Sequence, residues 1–188
     1  MKKVLLIDNF DSFTFNLKAL TEASGNVTVD VVRNNRVTNE LVENYNYLML
    51  SPGPGLPAQA GRMPEILNYI IGKKPVLGIC LGHQAIVEAL GGKLLNLTRP
   101  LHGIATEIHL SDSPVFEGIN KTIQGGRYHS WVADHTRLPG NLRVIAHDSD
   151  GFIMGVEDLS RLTFGLQFHP ESILSNSGSE IIKNFLNL

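Results

Sequence analysis

Short apolar runs alternate with amphipathic segments through the first 92 residues of this chain. The first run, at 4–7, has the length and continuous apolar character of a buried strand, and further candidate strands lie at 27–32, 47–50 and 76–79. Helix-type spacing lies between them, most clearly over residues 63–71, where apolar side chains recur every three or four positions. This alternation predicts βαβ units, and therefore a parallel sheet with helices on both faces.

The second half of the chain has a different pattern. Five candidate strands follow one another with short turns, at 104–110, 123–131, 142–147, 152–157 and 162–168, and an amphipathic segment over 181–186 closes the chain. We interpret them as an antiparallel β extension packed on the same core. With 188 residues and no linker-like tract, we expect a single α/β domain spanning residues 1–188.

Charge and cysteine content exclude several classes of protein. The net charge is -2 and no run of Lys or Arg exceeds two residues, which argues against a nucleic-acid-binding surface. No apolar stretch approaches the length of a membrane span, and the apolar run after Lys3 is too short for a signal peptide. A single cysteine, Cys80, excludes an internal disulfide and favours a reducing compartment, so we expect a cytoplasmic protein.

The most informative motif is Gly-Ile-Cys-Leu-Gly at residues 78–82, between a predicted strand and a predicted helix. This is the nucleophile-elbow pattern with cysteine in place of serine, and its two glycines let strand and helix approach closely. A helix N-terminus favours thiolate over thiol, and the free N–H of Leu81 can bind a developing oxyanion. The alternative is a buried structural cysteine between two packing glycines.

A second motif can supply a base for such a thiolate. In Phe-His-Pro-Glu at 168–171, the proline keeps the chain extended, so His169 and Glu171 can project to the same side. A carboxylate there can hold one ring nitrogen and leave the other for the thiol. Large apolar residues alternate with Gly165 and Gln167 over 164–168, which predicts a half-buried strand leading into this motif. The alternative is a strand end with a surface histidine and glutamate, but the presence of the cysteine elbow favours a Cys-His-Glu triad.

Residues 51–55 read Ser-Pro-Gly-Pro-Gly and follow the third predicted strand. The glycines can expose backbone N–H groups to a bound group, although a rigid turn would use the same residues. Neither a dinucleotide-binding fingerprint nor a Walker loop is present. A zinc deaminase is excluded as well, since it needs a Cys-x-x-Cys pair.

Three segments together resemble the signatures of class I (triad-type) glutamine amidotransferases: 51–55, 78–84 and 168–172. Residues 8–14 and 127–130 are similar to those of the small glutaminase subunits that serve anthranilate synthase and aminodeoxychorismate synthase. The resemblance implies a flavodoxin-like, mostly parallel sheet flanked by helices. It also implies Cys80 as nucleophile, His169 as acid and base, and Glu171 as the residue that orients the histidine.

The same resemblance implies the substrate site. The N–H groups of Gly53 and Leu81 match the oxyanion hole of the family, and Trp131 stands where a leucine is usual. The implied substrate-binding residues are Gly53, Pro54, Gly55, Leu81, Gln84, Ser130 and Trp131.

The resemblance further implies a glutaminase that hydrolyses L-glutamine and delivers ammonia to a chorismate-using synthase subunit, component I. A 188-residue domain leaves no room for an acceptor site, so we expect that partner, with no metal or cofactor in this chain and any magnesium on the partner. Residues 61–65, Gly-Arg-Met-Pro-Glu, favour anthranilate over aminodeoxychorismate synthesis, and one subunit serving both is a further alternative. Remoter alternatives are a stand-alone γ-glutamyl-type cysteine hydrolase and a non-catalytic flavodoxin-like binding module.

Overall fold

In a computed structural model that describes residues 2–188, the strands form one mixed sheet with helices on both of its faces. The strands are β1 (Lys2–Asp8), β2 (Val27–Arg33), β3 (Tyr47–Leu50), β4 (Val76–Ile79), β5 (Leu94–Leu110), β6 (Thr122–Ala133), β7 (Arg143–Asp148), β8 (Ile153–Asp158) and β9 (Thr163–Leu166). The helices are α1 (Thr14–Ser24), α2 (Asn39–Glu43), α3 (Met63–Ile70), α4 (Leu81–Ala89) and α5 (Gly178–Leu186). Over the described residues the strand order is β2-β1-β3-β4-β9-β8-β7-β5-β6.

The first half of that order is parallel, from β2 through β1, β3 and β4 to β9. If these five strands are renumbered in chain order, they lie in the order 2-1-3-4-5. This is the flavodoxin-like arrangement that the resemblance implied. The interior strands are continuous apolar runs because both of their faces are covered, and every residue of β3 and β4 is buried, whereas the edge strand β2 is partly exposed. The prediction of a mostly parallel α/β sheet is confirmed.

The second half is antiparallel, as predicted, but its first strand is much longer than expected. Pairing runs from β9 through β8, β7 and β5 to β6. Whereas the sequence predicted a strand from 104, β5 begins at Leu94. Its early part pairs with β6 through a register shift between Asn96 and Leu101, which removes the period-two pattern that would have revealed it.

The expectation of a half-buried strand over 164–168 is wrong. All four residues of β9 are buried, because β4 and β8 flank the strand and helices cover both faces. Phe164 packs edge-on against Phe185 of α5, with ring centroids 6.3 Å apart. On the other face, a Cβ at Gly165 would lie 2.7 Å from Nδ1 of His83 in α4. The alternation in the sequence therefore reflects side-chain size, not exposure.

The carboxyl ends of the parallel strands bring the sequence motifs together at one edge of the sheet. There, Asn9 after β1 donates its backbone N–H to Ser51 Oγ and its side-chain amide to Ser51 O, both at 2.8 Å. On the far side, His169 donates its N–H to Gly126 O of β6 at 2.9 Å. Along residues 2–188, no helix is long and apolar enough to cross a membrane.

Candidate active site

Cys80 occupies a sharp turn between β4 and α4. Its backbone has φ 51° and ψ -100°, a conformation that side-chain-bearing residues rarely adopt, and its N–H donates to Leu166 O at 2.8 Å. The flanking glycines permit the turn: a Cβ at Gly78 would lie 2.4 Å from the carbonyl carbon of Gly82, and one at Gly82 would lie 2.6 Å from Leu50 Cβ. This is the tight strand-to-helix turn that the Gly-x-Cys-x-Gly spacing predicts.

His169 and Glu171 form a buried pair beside this turn. Nδ1 of His169 lies 2.7 Å from Oε1 of Glu171, and the two side chains are 2% and 0% exposed. Burial lowers the pKa of His169, but the interactions of the ring with Cys80 and Glu171 outweigh it and raise that pKa to about 10. Since Nε2 of His169 is buried without a hydrogen-bond partner in the described part of the chain, it is the nitrogen available to Cys80.

Two aromatic rings fix the position of the His169 imidazole. The Tyr128 ring lies 4.8 Å and the Phe13 ring 5.3 Å from it, both close to edge-on. Tyr128 is itself held by a 3.0 Å hydrogen bond between its hydroxyl and Ser172 Oγ. No sequence motif indicated this contact of Phe13, because only the tertiary fold brings the residue to His169.

Cys80 lies at the junction of two cavities. The smaller one, about 140 Å³, is lined by Gly53, Pro54, Gly55, Cys80, Gln84, Tyr128, His129, Ser130 and Trp131. The larger one, about 430 Å³, also includes Cys80 and opens past His169, Phe10 and His102. A cleft of about 550 Å³ elsewhere on the protein is lined by neither cysteine nor histidine. The two cavities at Cys80 therefore provide one chamber for a small substrate and a second route to the surface.

Six of the seven residues expected to bind substrate line the smaller cavity, and Leu81 does not. The Leu81 side chain is buried in the core next to α3, so only its backbone N–H, at the first turn of α4, can serve the site. The loop at 51–55 packs tightly, because a Cβ at Gly53 would lie 2.6 Å from Asn9 Cβ and 2.8 Å from Leu81 Cδ2.

A buried polar network behind the smaller cavity was missed by the sequence analysis. Asp148 pairs with Arg127, whose Nε–H donates to Nε2 of His129 at 3.1 Å. Burial, reinforced by the charge of Arg127, lowers the pKa of His129 to about 3, so this imidazole is neutral and carries its proton on Nδ1. Nδ1 then donates to Trp131 O at 3.0 Å, and Gln84 Nε2 donates to the same carbonyl at 3.0 Å.

A cysteine on a strained turn, a histidine beside it and a carboxylate on that histidine are the arrangement typical of α/β enzymes that use a nucleophilic cysteine. Comparison with known proteins identifies the family within this class. The family model for glutamine amidotransferase class-I matches residues 5–188. The chain belongs to this family, and it is a glutamine amidotransferase.

Similar proteins agree with this placement. The chain is 42% identical to the bifunctional protein TrpGD of Thermotoga maritima, over all of this chain but only 32% of that protein's length. It is 39% identical to anthranilate synthase component 2 of Cyanophora paradoxa, with 98% of each chain covered. It is 37% identical to the aminodeoxychorismate/anthranilate synthase component 2 of Bacillus subtilis, covering 97% of this chain and 95% of the relative.

A solved structure shares the fold. A putative GMP synthase subunit from Thermoplasma acidophilum superposes with a TM-score of 0.85 at 24% identity, covering 100% of this chain and 93% of the other. At that identity the likeness concerns the fold, and it supports the mixed sheet described above.

Replacement of Glu171, the residue expected to orient His169, should change the pH at which His169 titrates. Because the pKa of His169 is raised to about 10, the stabilising contribution of its imidazolium is present below the ordinary value of 6.5 and is lost as the pH rises through about 10. Glu171→Gln removes one cause of the shift, so we expect His169 to titrate at least about one pH unit lower, as measured by imidazole NMR. Glutaminase activity should fall less than in His169→Ala, because the amide oxygen still accepts a hydrogen bond.

Two results would count against this assignment. An unchanged His169 titration in Glu171→Gln would show that the carboxylate does not act on the ring. Equal and complete loss of activity in both variants, each folded, would indicate that Glu171 takes part in the reaction more directly.

Proposed function

We propose that this chain is the glutaminase subunit of an anthranilate synthase. The observation that carries the proposal is the position of Cys80, at the mouth of a small polar cavity and beside the His169–Glu171 pair. The names of the full-length relatives support the pathway, since most are anthranilate synthase component 2.

The reaction proceeds through a thioester. The Cys80 sulfur attacks the side-chain amide carbon of glutamine, and the carbonyl oxygen, now negative, receives hydrogen bonds from the Gly53 and Leu81 N–H groups. His169 protonates the amide nitrogen, the C–N bond breaks and ammonia leaves. His169 then takes a proton from water, which attacks the thioester and releases glutamate and the Cys80 sulfur. Glu171 holds the histidine on Nδ1 throughout.

The substrate would lie in the smaller cavity. Gln84 uses Nε2 for both of its hydrogen bonds, which leaves Oε1 to accept from an N–H group of the substrate. The rest of the cavity is lined by residues 53–55 of the loop and by residues 128–131 of β6. Attack, proton transfer and hydrolysis all come from this chain's own side chains and water. We therefore propose that it needs no metal or cofactor, and that any magnesium belongs to the partner.

The partner would be the chorismate-using subunit, docked over the larger cavity so that ammonia passes to it without meeting bulk water. Phe10 lines that opening and is 51% exposed, and Ile173, two residues beyond Glu171 in the chain, is 99% exposed. A reduced cysteine as nucleophile supports a cytoplasmic location.

Aminodeoxychorismate synthesis remains the second candidate, because the Bacillus subtilis relative carries both activities in its name. The choice depends on which synthase subunit the chain activates, and one chain can serve two such partners if both present the same docking surface.

Reconstitution tests the proposal. We expect the chain, mixed with the anthranilate synthase component I of its source organism, to make anthranilate from chorismate and glutamine, as measured by anthranilate fluorescence. A parallel mixture with the aminodeoxychorismate synthase subunit is followed by mass spectrometry. Product in the second mixture alone would assign the chain to the other pathway, and product in both would make it a shared subunit. Glutamine-independent synthesis from ammonium chloride controls for an inactive partner.

A further inference from the structure

Gln167 is a buried polar residue to which the mechanism above gives no role. It follows β9, two residues before His169, and is 0% exposed. Its Nε2 donates to the Cys80 sulfur at 3.6 Å, and its Oε1 accepts from Gln84 Nε2 at 3.2 Å. It therefore touches the nucleophile without lining either cavity that Cys80 joins.

The orientation of the Gln167 amide is fixed by hydrogen bonds that run through Gln84 to the Trp131 carbonyl. Trp131 O can only accept hydrogen bonds, so the group of Gln84 that meets it at 3.0 Å must be the NH₂ group. The second N–H of the same group then needs an acceptor, which sets the oxygen of Gln167 towards Gln84. The nitrogen of Gln167 is left facing the sulfur. A flip of either amide would bring two donors or two acceptors together.

The starting point of this chain of hydrogen bonds is itself rigid. Trp131 O also accepts from Nδ1 of His129, whose other nitrogen is held by Arg127. Arg127 is paired with the buried Asp148. The buried ion pair thus fixes the Trp131 carbonyl, and this carbonyl sets the orientations of Gln84 and Gln167 in turn. As a result, Gln167 presents its amide nitrogen to Cys80.

We propose that Gln167 is a positioning residue for Cys80, and that its amide N–H holds the sulfur in the orientation for attack. The inference rests on the glutaminase reaction proposed above. A cysteine side chain turns about one bond, and a donor on the sulfur selects one of its rotamers. The same donor favours negative charge on sulfur, which the nucleophile carries before attack and recovers when the thioester is hydrolysed.

Two variants separate this role from packing. Gln167→Glu keeps the oxygen that accepts from Gln84 but presents a second oxygen to the sulfur, so the donor is replaced by a repelling group. Gln167→Met keeps the length of the side chain and has no N–H. Gln124→Glu makes the same change of charge at an exposed position of β6 and serves as the matched control.

We expect kcat for glutamine hydrolysis to fall about tenfold or more in Gln167→Met and about a hundredfold or more in Gln167→Glu. KM should stay within about threefold in Gln167→Glu, because Gln167 does not line the substrate cavity and the variant keeps the oxygen that accepts from Gln84. Alkylation of Cys80 by iodoacetamide at pH 7.5 should slow in the same order. Rates are measured with the synthase partner present, alkylation is measured on the chain alone, and circular dichroism confirms folding.

The proposal would be overturned if kcat and the alkylation rate of both variants stayed within about twofold of the wild-type values. A rise in KM that accounts for the whole loss in Gln167→Glu would also overturn it, since Gln167 would then act on substrate binding and not on the sulfur. If Gln167→Glu does not fold, Gln167→Met decides. A wild-type chain that alkylates normally but hydrolyses no glutamine with any partner would contradict the proposed function, and the alkylation rates would still decide the role of Gln167.

Discussion

Cys80→Ser is expected to abolish glutamine-dependent synthesis while leaving the fold intact. Serine has nearly the shape of cysteine, so it should accept the same turn with φ near 51° and the same contact with Gln167. Its hydroxyl, however, stays protonated at neutral pH and is a far weaker nucleophile than a thiolate. We expect kcat for glutamine to fall by a factor of about a thousand or more.

The decisive control is the nitrogen source. With ammonium chloride in place of glutamine, the complex of Cys80→Ser with its synthase partner should make product at the wild-type rate, because only ammonia production is lost. The comparison of the two nitrogen sources, with anthranilate fluorescence as the readout, therefore separates a lost nucleophile from a lost complex. Near-normal use of glutamine by Cys80→Ser would disprove the role assigned to the triad.

The part of the fold that could be predicted from the sequence is the part with local signals. Continuous apolar runs such as 4–7 and 76–79 are all buried, and the helix spacing at 63–71 corresponds to α3. The order of the strands was expected only through the family resemblance. The early part of β5 was missed because its residues pair with one neighbour through a shifted register, so no face of it is regularly apolar.

The same distinction applies to the active site. Cys80, and His169 with Glu171, were recognisable because each motif constrains its own backbone: a tight turn between two glycines, and an extended segment set by Pro170. Gln167 gave no such signal. Its partners Gln84 and Cys80 are 83 and 87 residues away along the chain, and only the pairing of β4 with β9 brings them together.

The buried ion pair of Arg127 and Asp148 was equally hidden, since a charged residue on one candidate strand and another just after the end of the next are normally expected to face solvent. The arginine is 2% and the aspartate 1% exposed. The ion pair holds His129, and His129 in turn donates to the carbonyl of Trp131, which lines the smaller cavity. This link to the cavity explains why the pair is buried.

The isolated chain is expected to hydrolyse glutamine at least about a hundredfold more slowly than the complex with its synthase partner and chorismate. Ammonia released to water is lost to the synthase. Loop 51–55, which carries the proposed oxyanion donor Gly53, borders both cavities at Cys80. Ser51 and Pro52 are buried, and Asn9 donates two hydrogen bonds to Ser51, whereas Pro54 and Gly55 are exposed, with Gly55 at φ +75°.

A partner that docks over the larger cavity can therefore press on the exposed half of this loop while its buried half stays fixed. The prolines on either side of Gly53 limit the loop to a few backbone conformations, so a turn of the peptide that carries the Gly53 N–H would aim it into the site or away from it. Loss of one oxyanion donor costs about 10²–10³ in rate, and a partner that binds the aligned state more tightly by that factor would switch the enzyme on. The measurement is kcat for glutamine hydrolysis by the chain alone and then with saturating partner and chorismate. An isolated rate within about twofold of the rate in the complex would disprove gating by this loop and would leave the roles of Cys80, His169 and Glu171 untouched.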